Sequence, residues 1–226
     1  MTFSIAGRCA QTGMLGVAIT TSSICVGARC PWVRAGVGAV ATQNITLPSI
    51  GPDVLDTIAD GKTAQEALDI VMARPLYADY RQVTVIDNKG RTAHFSGDKT
   101  LGTHRAVPGE NCIAAGNLLK SEDLPATMVA SFEAEPERHI AERLLKALEE
   151  GLYTAGGEQG PVHSASLLVA DRYNWPLVDL RVDWNEEDPI AELRKLWDSY
   201  KPEMADYITR AIDPASAPAY GVPGDP

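Results

Sequence analysis

Met1-Thr2-Phe3-Ser4-Ile5-Ala6-Gly7-Arg8 decides how the rest of the chain is read. It lacks the charged opening and long apolar run of a secretory signal. Phe3 and Ile5 alternate instead with Thr2, Ser4 and Ala6, the period of two that belongs to a strand with one apolar face. A strand is therefore predicted almost at the terminus, with a hydroxyl residue second in the chain. Methionine aminopeptidases act before small second residues, threonine included, and their action here would leave a free Thr2 amine. Such an amine has a pKa of about 8, low enough to serve near neutral pH as the general base for its own hydroxyl. The plainer reading is a strand that starts early, with Thr2 an ordinary terminal residue.

Hydrophobic residues make up 45% of the 226, which suits one large core better than several small ones. We expect a single domain over residues 1–212, followed by a Pro/Ala/Gly-rich tail, 213–226, that is disordered. A net charge of -10 argues against nucleic acid or an anionic membrane surface as partner, since both are bound through clustered Lys and Arg. No apolar run approaches the roughly 20 residues that cross a bilayer. Cys9, Cys25, Cys30 and Cys112 form no CxxC pair and have no His at zinc-finger spacing, so they read as reduced residues of a cytoplasmic protein. Cys25 is an alternative nucleophile, although free cysteine is usually buried.

Beyond the first strand, Gln11-Thr12-Gly13 signals a turn and Met14–Thr20 a second strand, hence a hairpin that exits into Thr20-Thr21-Ser22-Ser23. A further strand is predicted over Val33–Gln43, then helices over Pro52–Asp60 and Ala64–Ala73, the second capped by Thr63. Strands at Arg81–Asp87 and Arg91–Ser96 flank the turn Asn88-Lys89-Gly90, and a short buried strand covers Cys112–Gly116. Helical periodicity returns over Leu124–Phe132 and Glu137–Gly151, with Ile140, Leu144, Leu145 and Leu148 on one face. Thr154 to Pro161 is too rich in glycine for regular structure and lacks the GK[ST] of a phosphate loop. It leads into strands at Val162–Ala170 and Pro176–Asp183, a helix opened by Asp188-Pro189, and a last helix over Pro202–Ile212.

Strands in hairpins followed by helices in pairs disfavour a doubly wound parallel sheet. They predict an α+β fold in which two antiparallel sheets stack between helical layers, a four-layer αββα sandwich.

Thr2-Phe3-Ser4-Ile5, Ala35-Gly36-Val37-Gly38-Ala39-Val40-Ala41-Thr42-Gln43, Arg81-Gln82, Ala115-Gly116-Asn117-Leu118-Leu119, Ala155-Gly156-Gly157 and Asp179-Leu180-Arg181-Val182-Asp183 together resemble the family catalogued as domain of unknown function 1028. The match runs in order from Thr2 to about Leu196. That family is grouped with the N-terminal nucleophile (Ntn) hydrolases, so the resemblance implies the αββα sandwich and hydrolysis of amide bonds by a terminal Thr, Ser or Cys. One stretch departs from it. Members more often carry Asp and Arg after the double glycine and Gln before the following Ser, where this chain has Gly157-Glu158-Gln159-Gly160-Pro161-Val162-His163-Ser164. If that loop lines the pocket, the substrate differs too.

In the Ntn scheme Thr2 attacks an amide carbonyl, its α-amine moves the proton, and amides or backbone N–H groups hold the oxyanion. Asn117, after Gly116 at the end of an apolar strand, is the candidate oxyanion donor or simply an Asn closing a turn. Gln43 and Asn44, at another strand exit, contact substrate or cap a loop. Arg81 either binds a substrate carboxylate or pairs with an acidic side chain. His163 follows the glycine loop and is a candidate pocket residue. A triad of Ser164, His163 and Asp179 or Asp183 is rejected, because adjacent strand residues point to opposite faces. His94 and His104 lack carboxylate partners at ligand spacing, so no metal is expected, and the scheme needs no organic cofactor.

The chain is expected to be an amidohydrolase acting on a small-molecule amide, lactam or acylated amine, and to form a homo-oligomer. The alternative is a non-catalytic ligand-binding or assembly protein that keeps the Ntn fold.

Overall fold

β1 (Thr2–Arg8) and β2 (Leu15–Thr21) form the predicted hairpin, in register from Thr2↔Thr21 to Arg8↔Leu15. They open a computed structural model that describes residues 1–74 and 77–222. Where one strand is predicted from Val33 to Gln43, the chain forms two, β3 (Pro31–Arg34) and β4 (Gly38–Asn44). Gly36 causes the break. Its φ of 70° lies in the left-handed region that glycine tolerates, and the Val37 N–H donates to the Arg34 carbonyl at 3.1 Å, folding Arg34 back against Gly38.

α1 (Ile50–Ala59) and α2 (Ala64–Met72) follow. At the start of α2 the Thr63 hydroxyl accepts from the Glu66 N–H while the Glu66 carboxylate accepts from the Thr63 N–H. β5 (Arg81–Asp87) and β6 (Thr92–Ser96) are as predicted to within a residue. β7 (Arg105–Gly109) is an additional strand, paired with β8 (Cys112–Asn117). It is half exposed and carries Pro108, so no apolar alternation announces it. An edge position tolerates a residue without an N–H.

α3 (Leu124–Ala134) and α4 (Ile140–Tyr153) precede β9 (Ser164–Ala170) and β10 (Val178–Val182). α5 (Pro189–Tyr200) is capped by Asp188, which accepts from the N–H groups of Ile190 and Ala191. α6 (Met204–Ile212) is the last helix. In the tail, Pro214–Ser216 makes one 3-10 turn and Arg210 donates to the Pro218 carbonyl at 3.1 Å. For residues 223–226 the predicted disorder lies outside the described residues.

The strands make two antiparallel sheets, β10-β9-β2-β1-β8-β7 and β3-β4-β5-β6. With six helices among the described residues, the fold is mixed α+β. α3, α4 and α5 pack on the six-stranded sheet, and α1 and α2 on the four-stranded sheet. Alternation along β1 sends its side chains two ways. Phe3 and Ile5 join Phe132, Leu144 and Leu148 beneath the helices, while Ala6 joins Val17, Ile19 and Ile113 against Ala39, Ala41 and Ile86 of the other sheet. Each large side chain buried in this way contributes about 1.5–3 kcal/mol. No helix among the described residues is long and apolar enough to cross a membrane.

Candidate functional site

The two neighbours of β1 place Thr2. It stands opposite Thr21 of β2 on one side and Asn117 of β8 on the other. Directly opposed residues share a face, with Cβ atoms about 4.5–5.5 Å apart. Because Thr2 lies in phase with Ala6, that face is the one turned toward the four-stranded sheet. Only 5% of Thr2 is exposed. Its hydroxyl donates to the Met1 carbonyl oxygen at 2.6 Å, and the Thr21 hydroxyl donates to the same oxygen. The two hydroxyl oxygens are 3.0 Å apart.

Beneath this pair runs a buried polar chain whose direction follows from one group. The Gly116 carbonyl can only accept, so the Gln82 amide nitrogen, 3.1 Å away, must face it. Gln82 Oε1 is then an acceptor, and it takes bonds from Gln43 Nε2 at 2.8 Å and Asn117 Nδ2 at 3.1 Å. This leaves Gln43 Oε1 to accept from the Ser4 hydroxyl at 2.7 Å. The chain thus ties β1, β4, β5 and β8 together at one end of the space between the sheets. One Asn117 N–H is committed to Gln82, and Asn117 Oδ1 is buried without a hydrogen bond.

The glycine loop closes the site from above. Gly156 and Gly157 take φ of 85° and 70°, which curls the backbone so that the Gly157 carbonyl accepts from the Lys120 N–H and the Gln159 N–H donates to the Leu118 carbonyl. On its far side the His163 N–H donates to the Thr21 carbonyl at 2.8 Å. The loop is therefore stitched to the end of β2 and to the residues just past β8, the two strands that flank β1. A Cβ on Gly160 would stand 2.7 Å from Met1 Cε, so the Met1 side chain rests directly on the loop backbone.

Glu158 lies within that loop, 1% exposed, with neither carboxylate oxygen hydrogen-bonded. Burial pushes its carboxyl up to about 8, while the Met1 ammonium and the Ser22 N–H pull the other way without closing an ion pair or a hydrogen bond. A cleft of about 320 Å³ opens beside it, lined in part by Lys120, Gly160, Glu187 and Asp188.

Of the residues picked out in the sequence, Thr2, Gln43 and Asn117 come together here. Asn44 turns away. With φ 68° it donates to the Tyr80 carbonyl at 2.7 Å and accepts from the Leu101 N–H, fastening a loop. Arg81 donates to the Ile45 carbonyl next to it. His163 reaches the site through its backbone only, its ring stacking on Trp184 at 4.4 Å. Ser164 bonds Ser23 and Val26 instead of His163. Thr21, Gln82 and Glu158 also organise the site and are not among the residues that the sequence pattern picks out. Among the described residues no three His, Cys, Asp or Glu side chains cluster to hold a metal ion.

The fold is thus α+β, two antiparallel sheets with a hydroxyl-bearing residue at the start of β1 turned toward the second sheet. The chain belongs to the family of unknown function DUF1028, whose pattern matches residues 2–193. It is similar to protein SPO2555 from Silicibacter pomeroyi, of the same family, whose crystal structure superimposes with a TM-score of 0.83 at 29% identity over 91% of this chain and 92% of that one. The ancestral beta-subunit Anbu from Yersinia bercovieri aligns over 97% of this chain and 100% of its own with a TM-score of 0.42 and 10% identity, too slight a likeness to argue from. No curated protein matches.

Proposed function

We propose that this chain is an Ntn-type amidohydrolase with the four-layer αββα sandwich of that superfamily, and that Thr2 becomes its nucleophile once Met1 is removed. The observation that carries this reading is the convergence of the Thr2 and Thr21 hydroxyls on one carbonyl oxygen, that of Met1. A substrate carbonyl oxygen drawn to the same two hydroxyls would have the Thr2 hydroxyl beside it and the Thr21 hydroxyl aimed at it, its carbon standing off from the freed Thr2 amine.

In the proposed reaction the freed Thr2 amine takes the hydroxyl proton as Oγ attacks the amide carbon. Thr21 and the uncommitted N–H of Asn117 hold the oxyanion. Collapse breaks the C–N bond, the amine returns its proton to the leaving nitrogen, and water then cleaves the Thr2 ester by the same route. The chain Ser4, Gln43, Gln82, Asn117 acts at one remove, fixing the Asn117 side chain so that no reorganisation is needed during the reaction. The test is hydrolysis of a panel of small amides, lactams and acyl anilides by Met1-free protein, with Thr2→Ala as the control.

The second reading, a non-catalytic ligand-binding protein, draws on the near-complete burial of Thr2 beneath Met1. It predicts that the same panel is bound but never cleaved.

A further inference from the structure

We infer that Glu158 is the anchor for a substrate ammonium group, which makes the substrate class α-aminoacyl amides, and that Met1 occupies the aminoacyl subsite. The inference rests on the reading of Thr2 as nucleophile. Met1 is itself an aminoacyl group. Its carbonyl oxygen receives the Thr2 and Thr21 hydroxyls, and its side chain lies against Gly160. Glu158 lies two residues before Gly160, in the stretch of loop that Met1 touches.

A carboxyl buried to 1% exposure with neither oxygen hydrogen-bonded is costly unless some ligand completes it. Hydrogen-bond donors carried on a cation complete it best, because charge-assisted bonds are the strong ones. The neighbouring cleft repeats the preference, with the carboxyls of Glu158 and Glu187 set against the single amine of Lys120, Asp188 being occupied as the cap of α5. When Met1 leaves, the space it vacates between the Thr2 hydroxyl and Gly160 is open to an aminoacyl group of similar shape. A substrate with its amine blocked would bury Glu158 without a partner.

The experiment uses the full chain as Met1-free Thr2→Ala, verified by mass, titrated with L-methioninamide and with N-acetyl-L-methioninamide. The free amine should bind about tenfold or more tightly than the acetylated compound, the size expected of a desolvated charge pair. Glu158→Gln in the same background should abolish that preference by weakening L-methioninamide alone. Gly160→Val, which fills the side-chain subsite and leaves Glu158 intact, should weaken both compounds and serves if Glu158→Gln does not fold. Equal affinities, binding of neither compound, or equal losses in Glu158→Gln would overturn the inference. Hydrolysis of L-methionine p-nitroanilide by the Met1-free wild type is scored separately. An intact binding preference without hydrolysis would sink the nucleophile reading and leave the ammonium anchor standing.

Discussion

Thr2 and Thr21 face each other across β1 and β2 with their hydroxyl oxygens 3.0 Å apart, and both hydroxyls donate to the carbonyl oxygen of Met1. Each proton is occupied while Met1 is present. Removing Met1 releases both hydroxyls and creates the amine, so a single cleavage would assemble nucleophile, base and oxyanion donor together.

The first prediction concerns when that cleavage occurs. Thr2 is the buried first residue of β1, so an aminopeptidase should reach the Met1–Thr2 bond only before β1 is paired. Native Met1-containing protein treated with methionine aminopeptidase should keep its mass, and the same protein treated while unfolded should lose one methionine. Equal trimming of both would show that the terminus opens in the native state.

Thr2→Ala should lower kcat by at least about a thousandfold while leaving the melting temperature nearly unchanged, because the hydroxyl, though buried, meets Thr21 and the Met1 carbonyl at the strand end and no core side chain. Thr2→Ser retains hydroxyl and amine and should keep part of the activity. Full turnover by Thr2→Ala would transfer the role to another nucleophile, with Cys25 the first to examine.

Gln82 holds four groups at once, those of Gln43, Ser96, Gly116 and Asn117. Gln82→Met keeps the volume and removes every bond, leaving the Gly116 carbonyl and two amides buried without it. We expect a loss of roughly 2–4 kcal/mol in urea denaturation, against less than about 0.5 kcal/mol for the exposed Gln65→Met. A small effect at Gln82 would mean that water replaces the amide.

Glu158 predicts how the Met1-containing protein responds to pH. Its carboxyl is raised from 4.5 to about 8 in the fold, so the native state holds a proton that the unfolded chain gives up. Stability is then greatest below pH 4.5 as far as this group is concerned, falls as pH rises from 4.5 to about 8 by at most roughly 1.4 kcal/mol per unit, and is level above. Glu158→Gln should remove that decline and raise the melting temperature at pH 8 more than at pH 5. An identical pH profile in the variant would refute the buried neutral acid.

Much of this was legible in the residues. Alternation at Phe3 and Ile5 gave β1, and the stripe Ile140, Leu144, Leu145, Leu148 gave α4, because burial on one face imposes a period that composition cannot hide. Counting outward from the turn at Gln11-Thr12-Gly13 also brings Thr2 opposite the hydroxyl run at Thr21-Ser22, a signal that was available for Thr21. Gln82 was harder to see. It becomes notable only once Thr84 and Ile86 are known to share its face, turned toward the other sheet. Glu158 lies in the stretch that departs from the family pattern, but nothing local marks it as buried. A carboxylate in a glycine-rich loop reads as solvated, and its burial arises from long-range pairing with Leu119 and from Met1 resting on the loop at Gly160. The Gly36 turn and β7 were missed for the opposite reason, as short exposed features with no apolar face.

The most direct measurement of the central claim is mass spectrometry after incubation with an aminoacyl epoxyketone, a reagent that closes a ring across the hydroxyl and free amine of a terminal threonine. One equivalent is expected on the Thr2 terminal peptide of Met1-free protein and none on Met1-containing protein or on Thr2→Ala. An unmodified Thr2 peptide, or an adduct on Cys25 instead, would contradict it.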